Sequence, residues 1–395
     1  MRNIIIDRLS GILYSTEYPC RINTIHTEMG TKRMKTRFTR YVPLLAILML
    51  AVLLAACSSG NGNTKEAAAT AAPASASPAP ASASPAPAET AQAAKTVYPL
   101  TIENYANNGE GTEWKAKAQT FDKAPEKVVA NTQGAAELLI KLGLADKMVG
   151  VAALYGSGDP AVQEEFKKIP VLSKEYASKE LVVGAGPDLV LGRGDLFADA
   201  DWGSGTVGGL NELGIKTFVQ STSLQGATLD SLYKDIEQLG QIFDVQDRAA
   251  AYIAELKERA AKLKEGAAAA GAKTFAYVSD GGNGAIAVYS GNIDTFAGDV
   301  LGLVGLTNSY ADVTGEISKE QLIATNPDVL LISVYTGGVD PDQTLKAFYA
   351  DPSLQSLKAI QNKAIYKIDF NQFWGYSYSI FDGAEKLAAE LAAAK

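Results

Sequence analysis

Residues 247–263, Asp-Arg-Ala-Ala-Ala-Tyr-Ile-Ala-Glu-Leu-Lys-Glu-Arg-Ala-Ala-Lys-Leu, decide the reading of the fold. Ala249, Tyr252, Ile253, Leu256, Ala260 and Leu263 recur at three-and-four spacing, the apolar stripe of an amphipathic helix. Two look-alike segments flank it. Ser178-Lys179-Glu180-Leu181-Val182-Val183 leads to Pro187-Asp188-Leu189-Val190-Leu191, and Ser318-Lys319-Glu320-Gln321-Leu322-Ile323 leads to Pro327-Asp328-Val329-Leu330-Leu331. In both, the glutamate precedes the proline by seven positions. A solenoid would repeat every 20 to 50 residues or so; this wider separation predicts two similar lobes with a helical spine between them.

Composition narrows the function. Of 36 Lys and Arg and 44 Asp and Glu, eight and three fall in residues 1–56, which leaves the rest of the chain with a net charge of −13. An acidic body argues against a nucleic-acid partner, which selects basic patches. The single histidine, His26, and one of the two cysteines, Cys20, lie in that leading segment. The body thus lacks the inventory for a Ser-His-Asp triad, a Cys-His dyad, a His-rich metal site or an internal disulfide.

The chain opens on residues 1–33, polar and aperiodic, as an upstream start codon ahead of Met29 or Met34 would leave them. Lys32, Arg33, Lys35, Arg37 and Arg40 then form a basic n-region and Leu44–Leu54 an apolar h-region, too short and too close to Pro43 for a membrane span of about 20 residues. Leu54-Ala55-Ala56-Cys57 with its polar tail resembles a bacterial lipoprotein signal, which makes Cys57 the lipidated first residue of the mature protein and residues 1–56 the removed leader. Residues 57–95 carry the lipid and an Ala/Ser/Pro linker in which Ala-Ser-Ala-Ser-Pro-Ala-Pro occurs twice in tandem. At about 3.1 Å per residue the linker reaches on the order of 100 Å, a tether suited to the outer face of a membrane beneath a Gram-positive wall.

The folded body is expected as a first lobe over 96–245, a spine over 246–268 and a second lobe over 269–395. Val97–Tyr105 and Thr112–Phe121 read as a hairpin. Strand and helix signals then alternate: strands Lys127–Ala130, Met148–Val151, Leu189–Leu191 and Lys216–Val219, with helices Ala135–Leu142 and Val207–Leu213 and one beginning at Glu180. Helices Leu229–Phe243 and Asp247–Leu263 lead out of this lobe. The order recurs with strand Thr274–Val278, helix Phe296–Leu303, the Glu320 helix, strands Val329–Val334 and Ala364–Ile368, and a closing helix from Tyr378 to Ala393. Such alternation means α/β lobes with mainly parallel sheets.

In order and spacing, these segments resemble the ABC-transporter solute-binding proteins for iron-siderophore complexes and cobalamin. The resemblance covers Phe121–Leu391 and rests on Ala124-Pro125-Glu126-Lys127-Val128-Val129-Ala130, on Glu137–Gly143 with Lys147–Val151, on both Glu-to-Pro-Asp segments and on the spine. It implies two lobes joined by one long rigid helix, a ligand cleft between them and small lobe closure. It implies no enzyme activity and no cofactor. The ligand would be an Fe(III)-siderophore complex, and the partners an ABC permease dimer with its ATPase, at an extracytoplasmic, lipid-anchored location. By motif, Glu180 and Glu320 are the glutamates that meet the permease, although Ser178 and Ser318 also suit them to simple helix capping.

Ligands of open α/β sheets bind beyond the carboxyl ends of the strands. That rule singles out Asn131, Thr132, Gln133, Tyr155, Arg193 and Trp202 in the first lobe, and Tyr289, Tyr335, Trp374 and Tyr376 in the second. Arg193, between Gly192 and Gly194, offers a rigid fork of donors to an anionic chelate, or else pairs with Asp195. The aromatic run at Trp374 either stacks on a large flat ligand or packs the closing helix. Gly203-Ser204-Gly205-Thr206-Val207-Gly208 matches a dinucleotide fingerprint but follows no strand directly, so it reads as a loop. The alternatives are a cobalamin or haem receptor of the same fold, with Tyr or Met in place of His as iron ligand, and, more distantly, an extracytoplasmic hydrolase.

Overall fold

The computed structural model describes residues 95–107, 113–282, 285–288, 294–313, 315–338 and 340–394, within a compact unit spanning Ala91–Lys395. The leader, Cys57, the linker up to residue 94 and Tyr289 lie outside the described residues. A hairpin comes first, β1 (Leu100–Ala106) antiparallel to β2 (Lys115–Phe121). It starts later than the sequence suggests, and Val97 is exposed.

The first sheet consists of β3 (Val128–Ala130), β4 (Met148–Val151), β5 (Leu189–Arg193) and β6 (Lys216–Gln220), all parallel, in the order β4-β3-β5-β6. The second contains β7 (Lys273–Gly282), β8 (Ala285–Val288), β9 (Leu306–Asn308), β10 (Gly315–Ile317), β11 (Val329–Val334) and β12 (Ile365–Asp369). Its parallel part runs β9-β7-β11-β12, and β8 and β10 extend it antiparallel from the far end of β7. Numbered within its own sheet, each parallel set has the order 2-1-3-4. The repeat read in the sequence is thus a repeat of topology.

Both sheets are apolar on both faces, as parallel sheets covered by helices must be. Because side chains alternate along a strand, Val128, Ala130, Leu189, Leu191 and Phe218 join one core while Val129, Val190 and Val219 join another. In the second sheet Phe275, Tyr277, Val329 and Leu331 belong to that first core, and Ala276, Val278, Leu330 and Ile332 to a third. The first core therefore runs unbroken from one lobe to the other.

The spine seals it. The helix spans Gln246–Ala270, 25 residues, roughly 37 Å at about 1.5 Å per residue. Ala249, Tyr252, Leu256 and Leu263 are buried. It outlasts its apolar stripe because alanines follow Leu263, and it stops at Gly271, whose φ of 81° ends a helix without steric cost. Arg248 donates to the carbonyls of Leu142 and Gly143 on the first lobe, while Arg259 binds Asp382 and Glu385 on the C-terminal helix Ile380–Ala393.

The repeated motif has a physical explanation. Each helix, Lys179–Gly184 and Lys319–Thr325, precedes the third strand of its sheet. A left-handed residue follows each, Gly186 at φ 64° and Asn326 at φ 49°, the two residue types that tolerate this conformation best. Proline then bars further helix. The aspartate ties the start of the third strand to the first: Asp188 accepts from the backbone N–H of Glu126 and Lys127, and Asp328 from that of Thr274.

Candidate functional site

A sheet with order 2-1-3-4 changes winding direction between its first and third strands, where a crevice opens at their carboxyl ends. In the first lobe this point is Asn131 beside Arg193. The Asn131 amide spans the gap, its Oδ1 accepting from Arg193 N (2.8 Å) and its Nδ2 donating to Arg193 O (3.1 Å). A Cβ on Gly192 would lie 1.8 Å from Asn131 Oδ1, and Gly192 has φ 146°, so only glycine fits. Thr132 caps helix Gln133–Lys141 by accepting from Ala135 N, and Gln133 donates to Glu137. Asn131, Thr132 and Gln133 are all buried, and of the three it is Asn131 that holds the Arg193 backbone.

Arg193 is buried at 8% exposure and bound by Asp195 through two parallel bonds, Nε to Oδ1 and Nη2 to Oδ2. The short turn Gly194–Leu196 bends Asp195 back onto it. Nη2 also donates to Tyr176 Oη (3.1 Å), whose ring lies under the guanidinium at 5.4 Å. Burial works against the charged form, but Asp195 and Tyr176 outweigh it and hold the guanidinium pKa above its ordinary value. Arg193 pairs with Asp195 as the sequence allows, and the pair has one buried member, the guanidinium, and one solvent-facing member, Asp195, whose side chain is 60% exposed.

Around this pair the two lobes assemble a row of rings. Trp202, 42% exposed, faces Tyr176 (6.4 Å between centroids), Tyr176 meets Tyr155 edge-on (5.1 Å), and Tyr155 meets Phe370 of the second lobe (6.1 Å). Phe370 stacks on Trp374 (5.7 Å, 26° between planes) and faces Tyr335 (5.9 Å), while Trp374 packs on Tyr277 (4.6 Å). Asp294, buried, accepts from Tyr376 Oη (2.8 Å) and Trp374 Nε1 (3.4 Å). Burial raises its carboxyl pKa, and burial likewise raises the phenol pKa values of Tyr155 and Tyr376.

The structure thus brings Tyr155, Arg193, Trp202, Tyr335, Trp374 and Tyr376 into one region and adds Tyr176, Tyr277, Phe370 and Asp294. Phe370 was within reach of the strand-end rule, since it follows β12 directly. Tyr176 follows no strand, and only the three-dimensional fold places it.

The lobes also touch below the row. Thr336 N donates to Tyr155 O (2.7 Å), Ser157 N to Asp369 Oδ2 (2.8 Å) and Thr222 Oγ1 to Tyr376 O (2.6 Å). A Cβ on Gly134 would lie 2.9 Å from Gly375 O, so the approach there is backbone to backbone. Glu137, 1% exposed, accepts from Gln133 Nε2 (2.9 Å), Asp159 N (3.1 Å) and, across the lobes, Asn371 Nδ2 (3.2 Å). Burial pushes its pKa up to about 7 despite those bonds. A cavity of about 400 Å³ adjoins this seam, lined among others by Lys141, Asp159, Glu255, Arg259 and Asp382. Its charges largely satisfy one another, Lys141 with Asp159 and Arg259 with Asp382.

Glu180 and Glu320 both project from the first turn of their helices and are exposed. Each has its pKa lowered by its own backbone N–H and by the preceding serine, so each is ionised at neutral pH. Ser318 caps its helix in a reciprocal box with Gln321, whereas the Ser178 side chain makes no capping bond.

Two parallel-sheet lobes on a long helix, with a row of aromatic rings from both lobes at the strand ends, have the architecture of a solute-binding protein. The chain belongs to the periplasmic binding protein family, whose model matches residues 128–372. It is 25% identical over 308 residues to YvrC of Bacillus subtilis, an uncharacterized ABC transporter substrate-binding lipoprotein, covering 76% of this chain and 88% of that one. It is 28% identical over 235 residues to a cobalamin-binding protein of Halobacterium salinarum, covering 56% of this chain and 58% of the relative's length. A crystal structure from an ABC-type Fe3+-hydroxamate transport system of Saccharomonospora viridis superposes with a TM-score of 0.59 at 28% identity, covering 75% of this chain and 99% of that one.

Proposed function

We propose that this protein is an extracytoplasmic solute-binding lipoprotein, anchored through Cys57, that captures a ferric siderophore complex between its lobes and delivers it to an ABC importer. The observation that carries the reading is the ring row itself. It draws on both lobes, sits at the strand ends and offers Tyr155, Trp202, Tyr335 and Trp374 as apolar faces, with Arg193 and Tyr376 as hydrogen-bonding groups. Asn131 braces the Arg193 backbone behind it. Rings of this kind stack on a broad complex at low entropic cost.

Residues 1–56 would be removed and 57–95 would form the tether, leaving both lobes free to meet a permease dimer driven by its ATPase. Glu180 and Glu320, charged and at equivalent positions of the two lobes, suit one contact per permease subunit. The experiment is uptake of radioactive iron by cells carrying Glu180→Ala with Glu320→Ala: transport is lost while the purified variant still binds the chelate. Normal transport by that variant would remove the docking role. The Halobacterium relative favours one second reading, a corrinoid as ligand.

A further inference from the structure

The guanidinium of Arg193 is already paired before any ligand arrives. Arg193 is the cation of the ring row, and three of its five N–H groups are taken, two by the carboxylate of Asp195 and one by Tyr176. A carboxylate bound through two parallel bonds neutralises the guanidinium where it sits, leaving Nη1 outside those bonds and able to donate to an uncharged oxygen. From the second lobe the facing acid is Asp294, buried under Tyr376 and Trp374. Beyond residue 56 the chain carries a net charge of −13, which adds a long-range field of the same sign.

We propose that Asp195 and Asp294 set the charge selectivity of this cleft, so that it takes a broad metal complex with apolar faces and no net negative charge. The proposal rests on the receptor reading above. Polyanionic ferric catecholates and propionate-bearing haem would have to compete with the solvent-facing Asp195 for Arg193 or bury their charge beside Asp294, and the second is costly away from water. Two ligand types share the favoured chemistry, an electroneutral ferric trihydroxamate and a corrinoid.

The test is calorimetric titration of the full chain in detergent with a ferric trihydroxamate, cyanocobalamin, a ferric tris-catecholate and hemin. One of the two uncharged compounds should bind at least about tenfold more tightly than either anion, and which one names the source. Asp195→Asn leaves Arg193 with an unpaired charge and should strengthen tris-catecholate binding by at least about tenfold. Asp294→Asn should shift the same ratio in the same direction, and provides the reading should the first variant fold poorly. A merely structural role for either aspartate would weaken all ligands together. Wild-type protein that binds an anion as tightly as the uncharged compounds, or two folded variants with unchanged ratios, would overturn the proposal alone. Silence from all four compounds would overturn the receptor reading and this proposal with it.

Discussion

Glu137 makes the stability of this protein depend on pH in a direction fixed by the structure. Its carboxyl sits at 1% exposure where the lobes meet, and its pKa is pushed up from 4.5 to about 7, chiefly by burial. A raised carboxyl pKa means the fold prefers the protonated form. The stabilisation is therefore complete below about pH 4.5 and is lost as pH rises through about 7. The gap of roughly two and a half pH units corresponds to roughly 3 kcal/mol. Glu137→Gln removes the ionisation while keeping the shape. Urea denaturation of both proteins at about pH 5 and about pH 8 isolates the effect, because every other titrating group is common to the two. The stability difference should move in favour of the glutamine variant by roughly 3 kcal/mol between the two conditions. A difference that stays constant within about 0.5 kcal/mol would show that Glu137 does not titrate in that window and that its burial is misjudged.

Gly192→Ala should cost more than about 2 kcal/mol, because φ 146° and the Asn131 amide both oppose a side chain; near-wild-type thermal stability would contradict that geometry. Leu256→Ala, at 0% exposure on the buried face of the spine, should cost about 2–5 kcal/mol in urea denaturation, and a loss below about 1 kcal/mol would mean the spine is loosely packed. Cys57→Ala should move the protein from the membrane fraction to the soluble fraction or the medium, and unchanged membrane association would exclude the lipid anchor at that residue.

The parts of the fold that the sequence carried openly were those written in periodicity. Alternating apolar strands, the stripe of Asp247–Leu263 and the doubled Glu-to-Pro-Asp segment each reflect a face that must be buried or a backbone that must turn. Other elements carry weaker signals. Helix Pro341–Ala350 starts with Asp340 as cap, accepting from Asp342 N, and with proline in its first turn, a legible start that its modest apolar face did not advertise. Strands β8 and β10 are short, and their antiparallel pairing depends on β7 being long enough to reach past β11.

The site was legible only in part for the same reason. Arg193, Tyr155, Tyr335 and Trp374 lie near strand ends, where a rule applies, but pairing of Arg193 with Asp195, the arrival of Tyr176 and the burial of Asp294 follow from tertiary placement. Asn131 illustrates the reverse case. Its position at a strand end suggests a ligand contact, and the fold gives its amide a further task that the sequence does not show, closing the gap between β3 and β5.

The central claim is that a ligand sits between the lobes and touches both, and the chain's three tryptophans allow a direct measurement. Two variants are titrated with the best-bound of the four compounds above, one keeping only Trp202 of the first lobe and one keeping only Trp374 of the second. The account predicts saturable quenching in both, with the same midpoint. Quenching confined to one of the two tryptophans, or absent from both, would contradict a ligand held between the lobes.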